Sequence, residues 1–211
     1  MEVQLSISDI FRKSLKSAKA QMWVLAGLII GYSILSITLS AFAMPMQQSI
    51  GGKIIVNIVM ILFSSLFTLG YIKNHFQALD GMEPQFSAYG QESRKVITYV
   101  IAVVLFSVIV TVGLLLFVIP GIYLGLRLQF FPAFIIEENA GSISSMKRSW
   151  QITQGHSGSL FLLFLAMVGI GIVGLCLFIV GIFFAIPITY QMYCASFRLL
   201  NTPLQYLNDD K

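Results

Sequence analysis

The sequence predicts an all-α fold: a polytopic transmembrane helical bundle of about six spans arranged as three hairpins, with amphipathic interfacial helices on the cytoplasmic side. Three observations carry that prediction. The 211 residues are 57% hydrophobic and only 10% charged, against roughly 25% charged residues in soluble domains, and the mean hydropathy is +0.85. The apolar sequence divides into segments near the ~20 residues that one span requires. Of the thirteen Lys and Arg residues, all but Lys53 and Arg127 fall in polar stretches beside those segments, the pattern of cytoplasmic loops.

One integral membrane domain over 1–211 is expected, with no room for a soluble one. The net charge of +4 flanks apolar spans instead of forming a patch on a soluble face, so the expected partners are anionic membrane lipids and a membrane protein, with no nucleic acid. Cys176 and Cys194 sit in apolar sequence and read as packing residues, not as a disulfide.

Residues 1–21 read as a basic amphipathic helix. At about 100° per residue, Ile10, Phe11, Leu15, Ala18 and Met22 share one side, while Arg12, Lys13, Lys16 and Lys19 lie opposite. Such a helix lies in the headgroup plane with its apolar face down. The run 22–44 is longer than the ~7–15 residues of a signal-peptide core, so Ala41-Phe42-Ala43 is not expected to be cleaved and the run reads as a retained first span. A polar link precedes the second span, near 54–79, and a loop punctuated by Gly81, Pro84 and Gly90 leads to the third, near 96–119. Pro120 and Gly121 are expected to stop that span. A fourth, near 121–136, is short, and the segment after Glu137 and Glu138 reads as a second surface helix, with Ile143, Met146, Trp150 and Thr153 on one face and Lys147, Arg148 and Gln151 around the others.

Residues 160–200 are too long for one crossing of a roughly 30 Å core. The break is suggested by an internal match: Val112-Gly-Leu-Leu-Leu-Phe-Val-Ile-Pro-Gly-Ile122 resembles Val173-Gly-Leu-Cys-Leu-Phe-Ile-Val-Gly-Ile182 with one residue deleted. That puts a turn near Gly181, with spans near 160–180 and 182–200, and suggests a parallel repeat of hairpins. Six spans and a cytoplasmic N-terminus then put Arg12, Lys13, Lys16, Lys19, Lys73, Arg94, Lys95, Lys147, Arg148, Arg198 and Lys211 inside, leaving Lys53 outside and Arg127 within the membrane.

The stretch VIPGIYLGLRLQFFPAFIIEENAGSISSMKRSWQITQG, from Val118, resembles a signature of the YciC-like bacterial inner-membrane family and of the membrane domain fused to some glycerophosphodiester phosphodiesterases. The matching positions are Pro120, Gly121, Pro132, Ser145, Arg148, Ser149 and Thr153. The resemblance implies a six-helix bundle in the bacterial inner membrane with both termini cytoplasmic. It carries no catalytic residues to this chain.

Arg127 is the candidate site. It lies inside a span with no acid in an apolar core to pair with it, and a charge at mid-depth costs at least about 2.5 kcal/mol. Two readings remain: an Arg satisfied by carbonyls or by snorkelling about 10 Å to the outer headgroups, or a lipid-phosphate or anion site completed by Tyr123, Gln129, Tyr190 and Gln191. Arg12, Lys13, Lys16, Lys19, Lys147, Arg148 and Trp150 are candidate membrane-surface residues. Gly27 with Gly31, and Gly121 with Gly125, have the small-xxx-small spacing of close helix packing. His75 and His156 are isolated, so no metal or other cofactor is expected. No nucleophile, acid–base pair or phosphate loop stands out, and the chain is expected not to be an enzyme. The function classes left are an inner-membrane bundle that organises the envelope or supports a membrane partner, and a small transporter or lipid-handling protein using Arg127.

Overall fold

The computed structural model describes residues 7–209, apart from the side chains of residues 7, 13, 18, 178–180 and 203–209. Lys13, Ala18 and Lys211, to which positions were assigned above, lie outside the described side chains. Nine α-helices account for most of the described residues and no strand occurs among them: α1 Ile7–Ala43, α2 Ile50–Leu79, α3 Ser87–Glu92, α4 Val96–Leu116, α5 Val118–Leu128, α6 Phe131–Glu138, α7 Ser142–Ile152, α8 Ser157–Cys176 and α9 Phe178–Asp209. Among the described residues, five helices or helix pairs are long and apolar enough to cross a membrane, α5 and α6 together being one of them and the most enclosed by protein.

α1 combines the predicted amphipathic segment with the first apolar run, and the junction is a kink at Gln21 (φ −128°, ψ 17°). Gln21 Nε2 donates to the Met82 carbonyl at 2.7 Å, and Ser17 Oγ to that of Ala78 at 2.8 Å. The segment before the kink therefore docks on the bundle through Ile10, Ser14 and Ser17, the first two buried, and leaves Phe11 exposed. The expected apolar stripe is therefore divided, Ile10 packing inward where Ser17 and Gln21 reach backbone carbonyls at and just past the end of α2, and Phe11 facing out.

The third span ends earlier than Pro120. α4 stops at Leu116, Phe117 is extended (φ −161°, ψ 149°), and Pro120 sits in the first turn of α5, where its missing N–H has no helical acceptor to forgo. The second break falls at Leu177, between α8 and α9, four residues before Gly181. The two halves of the internal match nonetheless do the same work. A Cβ on Gly113 would stand 3.0 Å from Gly121 Cα, and one on Gly174 would stand 3.0 Å from the Gly181 carbonyl oxygen. In each copy the first glycine of the motif lets its helix close against the second. Gly27 and Gly31 do not behave this way, since a Cβ at either would meet nothing within 4 Å. Their spacing marks open space and not the helix contact expected of it.

The principal core joins α2, α6, α8 and α9, with residues 131–136 all buried and Phe197 packed among Phe76, Phe130 and Phe134 at ring-centroid distances of 5.7, 6.0 and 4.9 Å. α6 ends at Asn139, whose left-handed backbone (φ 51°) lets the Ala140 N–H turn back to the Phe134 carbonyl.

Candidate functional site around the α5–α6 break

Between Leu128 and Phe131 the helical ladder is interrupted, because Pro132 follows and has no N–H to donate. Backbone groups freed at such a break must be satisfied by neighbouring side chains if they are to lie at membrane depth. α7 supplies them. Ser149 Oγ accepts from the Phe130 N–H at 3.1 Å and donates to the Arg127 carbonyl at 2.9 Å, which Thr153 Oγ1 also approaches at 3.1 Å. Arg127 returns the contact, its Nη1 donating to the Thr153 carbonyl at 3.0 Å.

The Arg127 side chain is 3% exposed and its guanidinium carbon lies 4.3 Å from the centroid of the Trp150 ring and 5.7 Å from that of Tyr123. This is the carbonyl-satisfied reading joined to a cation–π contact, and snorkelling to the outer headgroups is corrected by it: the side chain is packed against α7. Its Nε, also buried, has no hydrogen-bond partner among the described residues.

The other predicted members of the site do not converge on Arg127. Gln129 and Tyr190 line a separate cavity of about 240 Å³ with Thr68, Tyr99, Thr189 and Tyr193, and Tyr193 Oη donates to the Gln129 carbonyl at 3.1 Å. Gln191 is fully buried, hydrogen-bonds His75 and donates through Nε2 to Ser17 Oγ at 2.9 Å. His75 stands edge-on to Tyr71 and stacked on Tyr190. Its neighbours are amide and aromatic groups; Tyr71, Asn74, His75 and Ala78 recur at helical spacing, and that recurrence is the signal that places His75 on a buried face.

The face that α7 buries differs in part from the one expected, which comprised Ile143, Met146, Trp150 and Thr153. Ser145, Met146, Ser149, Ile152 and Thr153 are buried, Ile143 is exposed, and Trp150 covers Arg127. Small hydroxyl residues turn inward because the break in the neighbouring helix gives them partners.

The acids gather the basic residues at one end of the bundle. Glu137 pairs with Lys73 at 3.3 Å and with Arg198 at 3.1 Å, Arg198 also engages Asp80, and Glu138 pairs with Arg148 and accepts from Asn201 Nδ2 at 2.7 Å. Lys95 reaches Glu92 at 2.9 Å and the Ile136 carbonyl at 2.8 Å. Arg148 is thus an ion-pair partner, while Arg12, Lys16, Lys19 and Lys147 are exposed with no acidic partner among the described residues. The Arg198 guanidinium hydrogen-bonded to Asp80 holds that carboxyl below its usual range. A depressed carboxylate contributes stability that is present above its unfolded-state pKa and is lost as pH falls through the folded value. Asp80→Asn is therefore expected to destabilise the protein at pH 7 by under about 1 kcal/mol, the pair being half-exposed, and the gap in Tm between the two proteins should close as the pH is lowered below 4.

Among the described residues, fold and site together define an all-helical domain with five helical segments long and apolar enough to cross a membrane, one of them a broken pair mended by a neighbouring helix. The chain belongs to the family described as Domain of unknown function (DUF7847), whose model matches residues 88–207, more than half of it. It is also similar to uncharacterized proteins of Mycobacterium bovis (Mb2590) and Mycobacterium tuberculosis (Rv2560), at 32% identity over 90 residues, 43% of this chain. The match spans only 28% of the length of those relatives. No solved structure matches the chain.

Proposed function

We propose that this chain is a non-enzymatic, multi-pass inner-membrane protein whose bundle organises the envelope or supports a membrane partner. The observation that carries the reading is the state of Arg127: this basic side chain, buried among the apolar helices, is engaged by Thr153, Trp150 and Tyr123 of the same chain, so its position is accounted for by the fold. Kinship with the YciC-like family and with phosphodiesterase membrane domains is supported by the signature, three of whose positions, Pro132, Ser149 and Thr153, act at the α5–α6 break. α9 serves as a sixth span and both termini are cytoplasmic in this reading; the gathering of Lys73, Lys95, Arg148 and Arg198 at one end supports it through the positive-inside rule.

The second reading, lipid handling through an anionic headgroup at Arg127, draws its support from the unpartnered Nε. Native mass spectrometry of the gently purified full chain separates the two. Folded Arg127→Gln protein with its lipids unchanged and a membrane protein still bound supports the bundle; loss of an anionic lipid on that substitution would replace it with lipid handling. For the topology, a single cysteine at Lys147, with Cys176 and Cys194 replaced, is expected to resist membrane-impermeant reagent added from outside, and labelling there would sink the six-span arrangement.

A further inference from the structure

A groove of about 630 Å³ runs along the outer side of α1 and α2. Its floor is Gly27 and Gly31, the two glycines at which a Cβ would meet open space. One wall is an aromatic ladder: Tyr89 stacks on Phe67 at 5.7 Å, Phe67 on Tyr32 at 3.9 Å, and Tyr32 on Phe63 at 5.5 Å. Tyr89 is held there because Gly70 has no side chain, the space a Cβ would need being filled by the Tyr89 ring. The mouth, at the ionic end of the bundle, carries Trp23 and Phe86, 79% and 81% exposed.

We infer that this groove binds one acyl chain of an anionic phospholipid from the leaflet at that end, an inference that rests on the membrane reading above. Length and volume choose the occupant. The groove follows α1 from Trp23 to Leu35, about 18 Å at 1.5 Å per residue, against about 15 Å for one leaflet's half of the hydrocarbon core. Its volume over that length holds a single extended hydrocarbon chain. Aromatic rings flank the mouth where a headgroup boundary would fall. Charge selects the headgroup: Lys16 and Lys19, on the segment of α1 just before Trp23, and Arg94, just after α3, are exposed and have no acidic partner among the described residues. An anionic phosphodiester at the mouth would neutralise them.

The test uses the full chain in phosphatidylcholine vesicles doped with phosphatidylglycerol that carries a photoactivatable group midway along one acyl chain. Adducts mapped by mass spectrometry are expected to concentrate on residues 27–35 and 63–67 relative to the exposed face of α8, and the same probe on phosphatidylcholine should label the groove about fivefold less per lysine engaged. Gly27→Leu with Gly31→Leu, placed where an added Cβ would meet nothing within 4 Å and so projecting side chains into the groove, should reduce groove labelling to the α8 level; Gly169→Leu on α8, where a Cβ also meets nothing within 4 Å, should leave it unchanged. Lys16→Gln, Lys19→Gln and Arg94→Gln together should abolish the headgroup preference. Equal labelling of α1, α2 and α8 means annular lipid alone and overturns the site, as do crosslinks from position 27 or 31 to another polypeptide. Absence of labelling even on α8 would overturn the membrane reading itself and the site with it.

Discussion

Gly181→Ala is expected to destabilise the bundle by about 3 kcal/mol, at the upper end of ordinary overpacking. A Cβ at Gly181 would overlap the Gly174 carbonyl oxygen, a backbone atom that no rotamer change can move. The two helices could accommodate it only by separating along their shared seam, with loss of the contacts that the pair of glycines permits. Gly121→Ala meets the same obstacle in the equivalent hairpin, where the added carbon would lie 2.7 Å from the Leu114 backbone nitrogen. Gly171→Ala is the control. Nothing stands within 4 Å of a Cβ there, so the higher helix propensity of alanine should add about 0.5–1 kcal/mol. Thermal unfolding in a mild detergent reads all three. At about 2–4 °C per kcal/mol for a chain of this length, Gly181→Ala and Gly171→Ala should move Tm in opposite directions, and an unchanged Tm for Gly181→Ala would show that the motif is not a packing device.

The second large effect is expected at Arg127, where size and charge act oppositely. Arg127→Ala forfeits a charged hydrogen bond of about 1.5–3 kcal/mol, a cation–π contact of about 2 kcal/mol in a desolvated setting, and the packing of a long buried stem. It also removes a charge whose intramembrane cost is about 2.5–3.5 kcal/mol. Packing decides the balance, and the net loss should be about 2–3 kcal/mol. Arg127→Met keeps most of the volume while removing the charge, and should lose about 1 kcal/mol or less. Chemical unfolding of both variants checks the order. If alanine and methionine cost the same, the guanidinium interactions and not the filled space hold α7 in place.

Much of the fold was legible in composition because membrane-length apolar runs leave few alternatives. The kink at Gln21 falls at the predicted junction of amphipathic and apolar segments, and the internal match identified the glycines that close both helix pairs. The end of α4 lies before the position expected from Pro120, because a proline is accommodated in the first turn of the helix that follows. The site was half legible. Arg127 stood out as a charge out of place, but its partners are the serine and threonine hydroxyls of α7, and hydroxyls give no periodic signal when the group they satisfy is a carbonyl freed by a break elsewhere in the chain. Apolar periodicity accordingly places Met146 and Thr153 on the buried face of α7 but misses Ser145 and Ser149 and includes Ile143, which is exposed. The groove beside α1 was hidden for a related reason: a Gly-xxx-Gly pair is compatible with a close contact and with an empty space, and spacing alone does not distinguish them.

The mended break also bears on how the chain is made. The Arg127 carbonyl is satisfied by Ser149 and Thr153, 22 and 26 residues later in the sequence, so in a membrane the α5–α6 segment would carry, until that interval is synthesised, a peptide group that lipid cannot solvate. Such a segment is better kept beside the aqueous channel of the insertion machinery than released sideways into the bilayer. In the proposed membrane reading, lateral exit of this segment is expected to wait for the emergence of α7, whose serine and threonine would then time its release as well as clasp it in the finished protein.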